Sequence, residues 1–90
     1  MAWRIELEAG AERDLDKLDG QVARRVLRFL FERVAHLDDP RSIGEALKGQ
    51  KLGEFWKYRV GDYRIISRIE DGALRVLVVR IGKRLYCRSH

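Results

Sequence analysis

The chain has 90 residues, of which 19 are Lys or Arg and 14 are Asp or Glu, with 46% hydrophobic and 37% charged side chains. That is enough for one small domain spanning residues 1–90 and too little for two. With a single proline it reads as globular, which excludes a disordered tail or a collagen repeat. No run approaches the roughly 18 apolar residues that a membrane span needs, and Arg4, Glu6 and Glu8 interrupt any apolar leader, so the sequence reads as soluble and cytoplasmic. Cys87 is the lone cysteine, and with only His36 and His90 beside it neither a disulfide nor a metal site is expected.

Along the chain, Trp3, Ile5 and Leu7 alternate with Arg4, Glu6 and Glu8, the period-two pattern of a half-buried strand. Ala11, Leu15 and Leu18 then share one face of a short helix, which Asp19-Gly20 ends. A second helix is predicted from Gln21 to Leu37, with Val22, Val26, Phe29, Leu30, Val34 and Leu37 at helical spacing. Pro40 terminates the region, and a loop is expected to about Gly53. Three strand-like runs follow, Phe55 to Val60, Tyr63 to Glu70 and Ala73 to Ile81, separated by the two-residue hairpin signals Gly61-Asp62 and Asp71-Gly72. The order β-α-α-β-β-β predicts an α+β fold: an antiparallel sheet with a C-terminal three-stranded meander and a helical hairpin packed on one face.

The charge is unevenly divided. Residues 1–46 carry 8 basic and 10 acidic side chains, a net of −2, and residues 47–90 carry 11 basic and 4 acidic, a net of +7. If Gly61 and Asp62 form the turn, Arg59 lies opposite Arg64 and Tyr58 opposite Ile65. Alternation then gathers Trp56, Tyr58, Val60, Tyr63, Ile65 and Ile69 under the helices, and Lys57, Arg59, Arg64 and Arg68 on the open face. Like charges directly opposite destabilise a strand pair by up to about 1 kcal/mol, a cost that an anion between them would offset. The third strand adds Ala73, Leu74, Val76, Val78 and Arg80, and its end, Ile81-Gly82-Lys83-Arg84, is expected to deliver two more cations where Gly82 lets the backbone turn. Lys48 and Lys51 border the same concavity from the loop. Few carboxylates accompany these cations, which points to a polyanion, RNA or DNA backbone being the commonest. Trp3 and Trp56 fall on the apolar side of their strands and read as core.

The element order, Leu47-Lys48-Gly49 before the meander, the stretch Trp56-Lys57-Tyr58-Arg59-Val60-Gly61-Asp62-Tyr63-Arg64-Ile65 and the ending Ile81-Gly82-Lys83-Arg84 together resemble the RelE/ParE superfamily of bacterial toxins over nearly the whole chain. The resemblance implies the toxin of a type II toxin-antitoxin system. In the RelE branch such a toxin enters the ribosomal A site and cuts the mRNA there. In the ParE branch it inhibits DNA gyrase without nuclease activity. A third alternative is a degenerate toxin acting only in an antitoxin complex.

Transferred residue by residue, the RelE pattern implies a metal-independent endoribonuclease with no cofactor, whose catalytic residues are Lys57, Arg64, Arg84 and Tyr86. Arg59, Arg68, Lys83, Lys48 and Lys51 are then the RNA-binding residues. The implied partners are a RelB-like antitoxin, with which the toxin forms an operator-binding complex, and the ribosome with mRNA in its A site. Phe55 stands where the best-known RelE pattern carries a basic residue, and the ending Leu85-Tyr86-Cys87-Arg88-Ser89-His90 is unusual. Lys57 reads as a base made easier to deprotonate by neighbouring Arg59 and Arg64. Arg24, Arg25 and Arg28 on the second helix read either as a solvated face or as a contact for ribosomal RNA.

Overall fold

In the computed structural model, which describes residues 2–47 and 55–83, the first alternating run forms β1 (Arg4–Leu7), and Trp3 just before it is buried. Helix α1 (Ala9–Asp16) follows and lays the fully buried Ala11 into the core. Helix α2 (Gly20–Arg28) starts where the Asp19 carboxylate accepts a hydrogen bond from the Gln21 N–H at 3.1 Å, satisfying one of the donors that a helix N-terminus leaves unpaired.

The second helix is not one uniform α-helix to Leu37. After Arg28 it widens into a π-turn over Phe29–Arg33 and tightens into a 3-10 turn over Val34–His36. The change of winding lets Leu30, Val34 and Ala35 all be buried while Phe31 is turned outward, 46% exposed.

The region expected to be a loop is also structured in its described part. Pro40–Ile43 forms a 3-10 turn, begun by the Asp39 carboxylate accepting from Arg41 N–H at 3.0 Å, and Glu45–Ala46 forms a short strand, β2. Tyr58 fixes this turn to the sheet: its hydroxyl donates to Pro40 O at 2.7 Å, and its ring meets Phe29 edge-on at 5.9 Å between centroids. Burial pushes the Tyr58 hydroxyl up to about 12, against smaller opposing contributions from Ser67 and Arg41, so it remains a neutral donor.

The meander is β3 (Phe55–Val60), β4 (Tyr63–Glu70) and β5 (Arg75–Lys83). Among the described residues the sheet has five strands in the order β1-β5-β4-β3-β2. It is mixed where a wholly antiparallel sheet was expected: β2 to β5 are antiparallel neighbours, whereas β1 pairs with β5 in parallel, Arg4 opposite Arg75 to Leu7 opposite Val78. The first hairpin has the predicted register, with Val60 opposite Tyr63, Arg59 opposite Arg64 and Lys57 opposite Ile66, and Gly61 adopts φ +59 in its turn.

The second connection is not a two-residue turn at Asp71-Gly72. Asp71–Ala73 makes a 3-10 turn and Leu74 takes the left-handed conformation, so the strand begins at Arg75, not at Ala73. This longer link aligns Arg75 opposite Glu70, where the two side chains form an ion pair, and leaves Leu74 O to accept the Arg4 N–H at 2.8 Å. A bulge in the β4–β5 ladder follows. Ser67 faces Val78 but Ile66 faces Arg80, so Val79 is the extra residue and the alternation shifts by one. Val76, Val78 and Ile81 are consequently all buried.

Candidate nucleic-acid interface

The open face of the sheet is built from the odd-numbered residues of β3 and the even-numbered residues of β4. Phe55, Lys57 and Arg59 stand opposite Arg68, Ile66 and Arg64. Across from Arg64 on β5 is Gly82, which is inside the strand and not at a turn as expected. A Cβ built on Gly82 would meet nothing within 4 Å, so among the described residues the position opposite Arg64 is uncrowded. Arg64, Ile66, Arg80, Gly82 and Lys83 border a hollow of about 250 Å³ there.

Arg59 and Arg64 are directly opposed cations with no ion pair to any described carboxylate. Their repulsion costs a few tenths of a kcal/mol to about 1 kcal/mol, and is relieved by an anion placed between them. Two guanidiniums on adjacent strands present forked donors that match phosphate oxygens.

Lys57 departs from the sequence expectation. Its nearest charge is no arginine but the Glu45 carboxylate of β2, with Nζ to Oε1 at 3.3 Å, while its cross-strand neighbour is the apolar Ile66. β2 pairs only with Lys57 and Trp56, so this two-residue strand serves chiefly to set Glu45 beside Lys57. Nothing in the spacing of Glu45 announces it, because strands of two residues carry no periodicity.

Phe55, the departure from the RelE pattern, has its ring 6.0 Å below the Arg68 guanidinium, so the aromatic holds a neighbouring cation in place of being one. Lys83 pairs with Tyr63 in register, which puts it on the helix-side alternation at the exposed end of β5, at the rim of the open face. Arg80 belongs with the open-face register opposite Ile66, not with Val76 and Val78, but its guanidinium is engaged by Asp14 of α1 at 2.8 Å. That carboxylate also accepts the Ile81 N–H at 2.9 Å, and Arg80 foremost holds the Asp14 carboxyl below the usual range.

Arg84, Tyr86, Lys48 and Lys51 lie outside the described residues. The structure thus brings together Lys57, Arg59, Arg64 and Arg68 from the expected set, and adds Glu45. Among the described residues no three His, Cys, Asp or Glu side chains converge as metal ligands would, and no helix is long and apolar enough to cross a membrane. Trp3 is buried as expected, while Trp56 is half-buried with the Arg41 guanidinium 5.8 Å from its ring.

This fold has counterparts among known proteins. The family model described as ParE toxin of type II toxin-antitoxin system, parDE, matches residues 5–85. The chain belongs to the RelE/ParE superfamily of type II toxin-antitoxin toxins. Among relatives of this superfamily, Toxin RelE of Mycobacterium tuberculosis is 32% identical over 82 residues, covering 91% of this chain and 81% of that protein. Toxin RelG of the same organism is 30% identical over 84 residues, covering 93% of each. The toxin-antitoxin complex RelBE2 from M. tuberculosis contains a chain that superposes with a TM-score of 0.85 at 27% identity, covering 93% of both chains. The isolated E. coli RelE toxin, at 19% identity and TM-score 0.71 over 98% of this chain and 95% of that one, shares the fold.

Proposed function

We propose that this superfamily toxin is a ribosome-dependent mRNA endonuclease that acts in the cytoplasm, inhibits translation, and is neutralised by a RelB-like antitoxin. The observation that carries the reading is the opposed pair Arg59 and Arg64, unpartnered by any described carboxylate, with Arg64 opposite the uncrowded position at Gly82. An inhibitor that works by covering a protein surface has no need of this repulsion, whereas an enzyme that must stabilise a dianionic phosphorane does.

In this scheme the ribose 2′-oxygen attacks the adjacent phosphorus and the bond to the 5′-oxygen of the next nucleotide breaks. The products are a cyclic phosphate and a 5′-hydroxyl. Arg64 and Arg59 grip the non-bridging oxygens as charge builds on them. Lys57, having first lost its ammonium proton to solvent, accepts the proton of the 2′-hydroxyl, and Glu45, 3.3 Å from Nζ, holds its side chain in place. Arg84 supplies a further cation, and Tyr86 the leaving-group proton or a stacking surface for the substrate base. Arg68, Lys83, Lys48 and Lys51 hold flanking phosphates. With no histidine among the described residues of this face the chemistry is slow unless the substrate is aligned from outside, and alignment by the ribosome contributes several kcal/mol. The antitoxin covers this face, and the complex binds operator DNA.

Primer extension on a message in a translating extract tests the reading. Cleavage products are expected with the native toxin and not with Arg64→Ala, and intact message with both would overturn it. The matched family model's description as a ParE toxin favours a second reading, gyrase inhibition. A loss of plasmid supercoiling by gyrase, unchanged in Arg64→Ala, would establish that one instead.

A further inference from the structure

A second cationic surface lies around the edge of β3 from the open face. Among the described residues, β2 covers only Trp56 and Lys57 of this edge, with the Leu47 N–H bonded to Phe55 O beside them, and the C-terminal half of α2 with the π-turn forms the opposite wall. The groove between them has two adjoining hollows. One, of about 290 Å³, is bordered by Phe29, Arg33, Ile43, Glu45, Lys57 and Arg59. The other, of about 580 Å³, is flanked by Arg25, Arg28, Arg33 and Arg59, with Glu32 as its single carboxylate. Arg59 therefore belongs both to this groove and to the open face.

Two features mark the arginines of this groove. Arg25, Arg28, Arg33 and Arg59 form no ion pair with any described residue, whereas Arg41, Arg75 and Arg80 are each matched to carboxylates by Asp71, by Glu70 and Glu6, and by Asp14. Arg13, Arg24 and Arg64 also lack such a pair, but of these unmatched arginines only Arg25, Arg28, Arg33 and Arg59 border the groove. In addition, Arg25 is brought against the hairpin turn itself: a Cβ on Gly61 would stand 3.1 Å from Arg25 Nη1, so the absence of a side chain there lets the guanidinium lie at the mouth of the groove.

We propose that this groove binds the phosphate backbone of RNA as a rail continuous, through Arg59, with the candidate cleavage face. The inference rests on the nuclease reading for its biological use but not for its chemistry. A peptide partner fits less well, since the exposed large hydrophobics among the described residues are Phe31 and Leu74, and neither borders the groove to anchor it. Phe29, Ile43 and Val60 line the floor but are half-buried or buried, so four unmatched guanidiniums at the rim favour a ligand recognised by its repeating charge.

The test is fluorescence anisotropy of a 2′-O-methyl RNA oligonucleotide, which cannot be cut by 2′-hydroxyl attack, titrated with the full chain over a range of salt. Arg25→Ala with Arg28→Ala is expected to weaken binding and to reduce the slope of log K against log salt by about 1.4, that is about 0.7 for each phosphate contact on a single strand. Arg13→Ala with Lys17→Ala removes the same charge from α1 and is expected to leave the slope unchanged. Equal effects of the two double variants, or an unaltered slope in the first, would overturn the rail. So would an oligoglutamate peptide that needs Arg25 and Arg28 while the RNA does not. If the slope falls as expected but the native toxin cuts no message in a translating extract, the rail stands and the nuclease reading alone is lost.

Discussion

Lys57 and Arg64 have separable jobs in the proposed chemistry, and the conservative substitution tells them apart. An arginine at 57 keeps the charge but cannot give up its proton near neutral pH, so Lys57→Arg is expected to be as inactive as Lys57→Ala in the primer-extension assay. Substantial cleavage by Lys57→Arg would reduce the lysine to a phosphate contact. Arg64→Ala removes a charged donor aimed at the developing phosphorane, a loss of about 100-fold or more in rate by analogy with deleting one such donor, and Arg64→Lys is expected to recover only part because it lacks the fork. Gly61 acts through conformation. Placing a Cβ at φ +59 costs about 1–2 kcal/mol, and Gly61→Ala is expected to lower the midpoint of a thermal melt by several degrees.

Among the elements, the end of β5 depends on α1. Because β1 stops at Leu7, opposite Val78, the Ile81 N–H beyond the bulge has no strand partner on that side, and Asp14 accepts it together with Arg80. The folded carboxyl titrates lower than the unfolded one, so its contribution is fully present above the unfolded pKa of about 3.9 and is lost as pH falls through the depressed folded value. Asp14→Asn is therefore expected to be less stable than the native chain at pH 7, by about 1–3 kcal/mol for the hydrogen bonds to a charged group, with the gap closing in denaturant melts below pH 4. A gap independent of pH would mean that the carboxylate charge is irrelevant there. The π-turn makes a comparable demand on packing. Leu30 is fully buried, and Leu30→Ala is expected to cost about 2–5 kcal/mol, read as a shift of the urea midpoint.

At the scale of the whole molecule, what could be read from sequence follows from where the governing interactions lie. The β3–β4 register was legible because Gly61-Asp62 fixes it locally, and with it came the opposition of Arg59 and Arg64. The winding change after Arg28 was not, since Leu30, Val34 and Leu37 satisfy a plain helical repeat and only the sheet decides how they are seated. Alternation identified β1 as a strand but could not say that its neighbour would be β5, nor in which direction. The two-residue β2, and hence the Lys57–Glu45 pair, left no pattern to find, and neither did the bulge at Val79 that sets Arg80 opposite Ile66.

The parallel pairing of β1 with β5 also bears on how the toxin is made. Its first strand is synthesised long before the last one that receives it, and hydrogen bonds between elements so distant in sequence form late and slowly. Until β5 has emerged, Trp3, Ile5 and Leu7 have no sheet to cover and Arg64 has no Gly82 beside it. In the proposed nuclease, the face carrying Arg59 and Arg64 is therefore complete only once β5, the last strand, has docked.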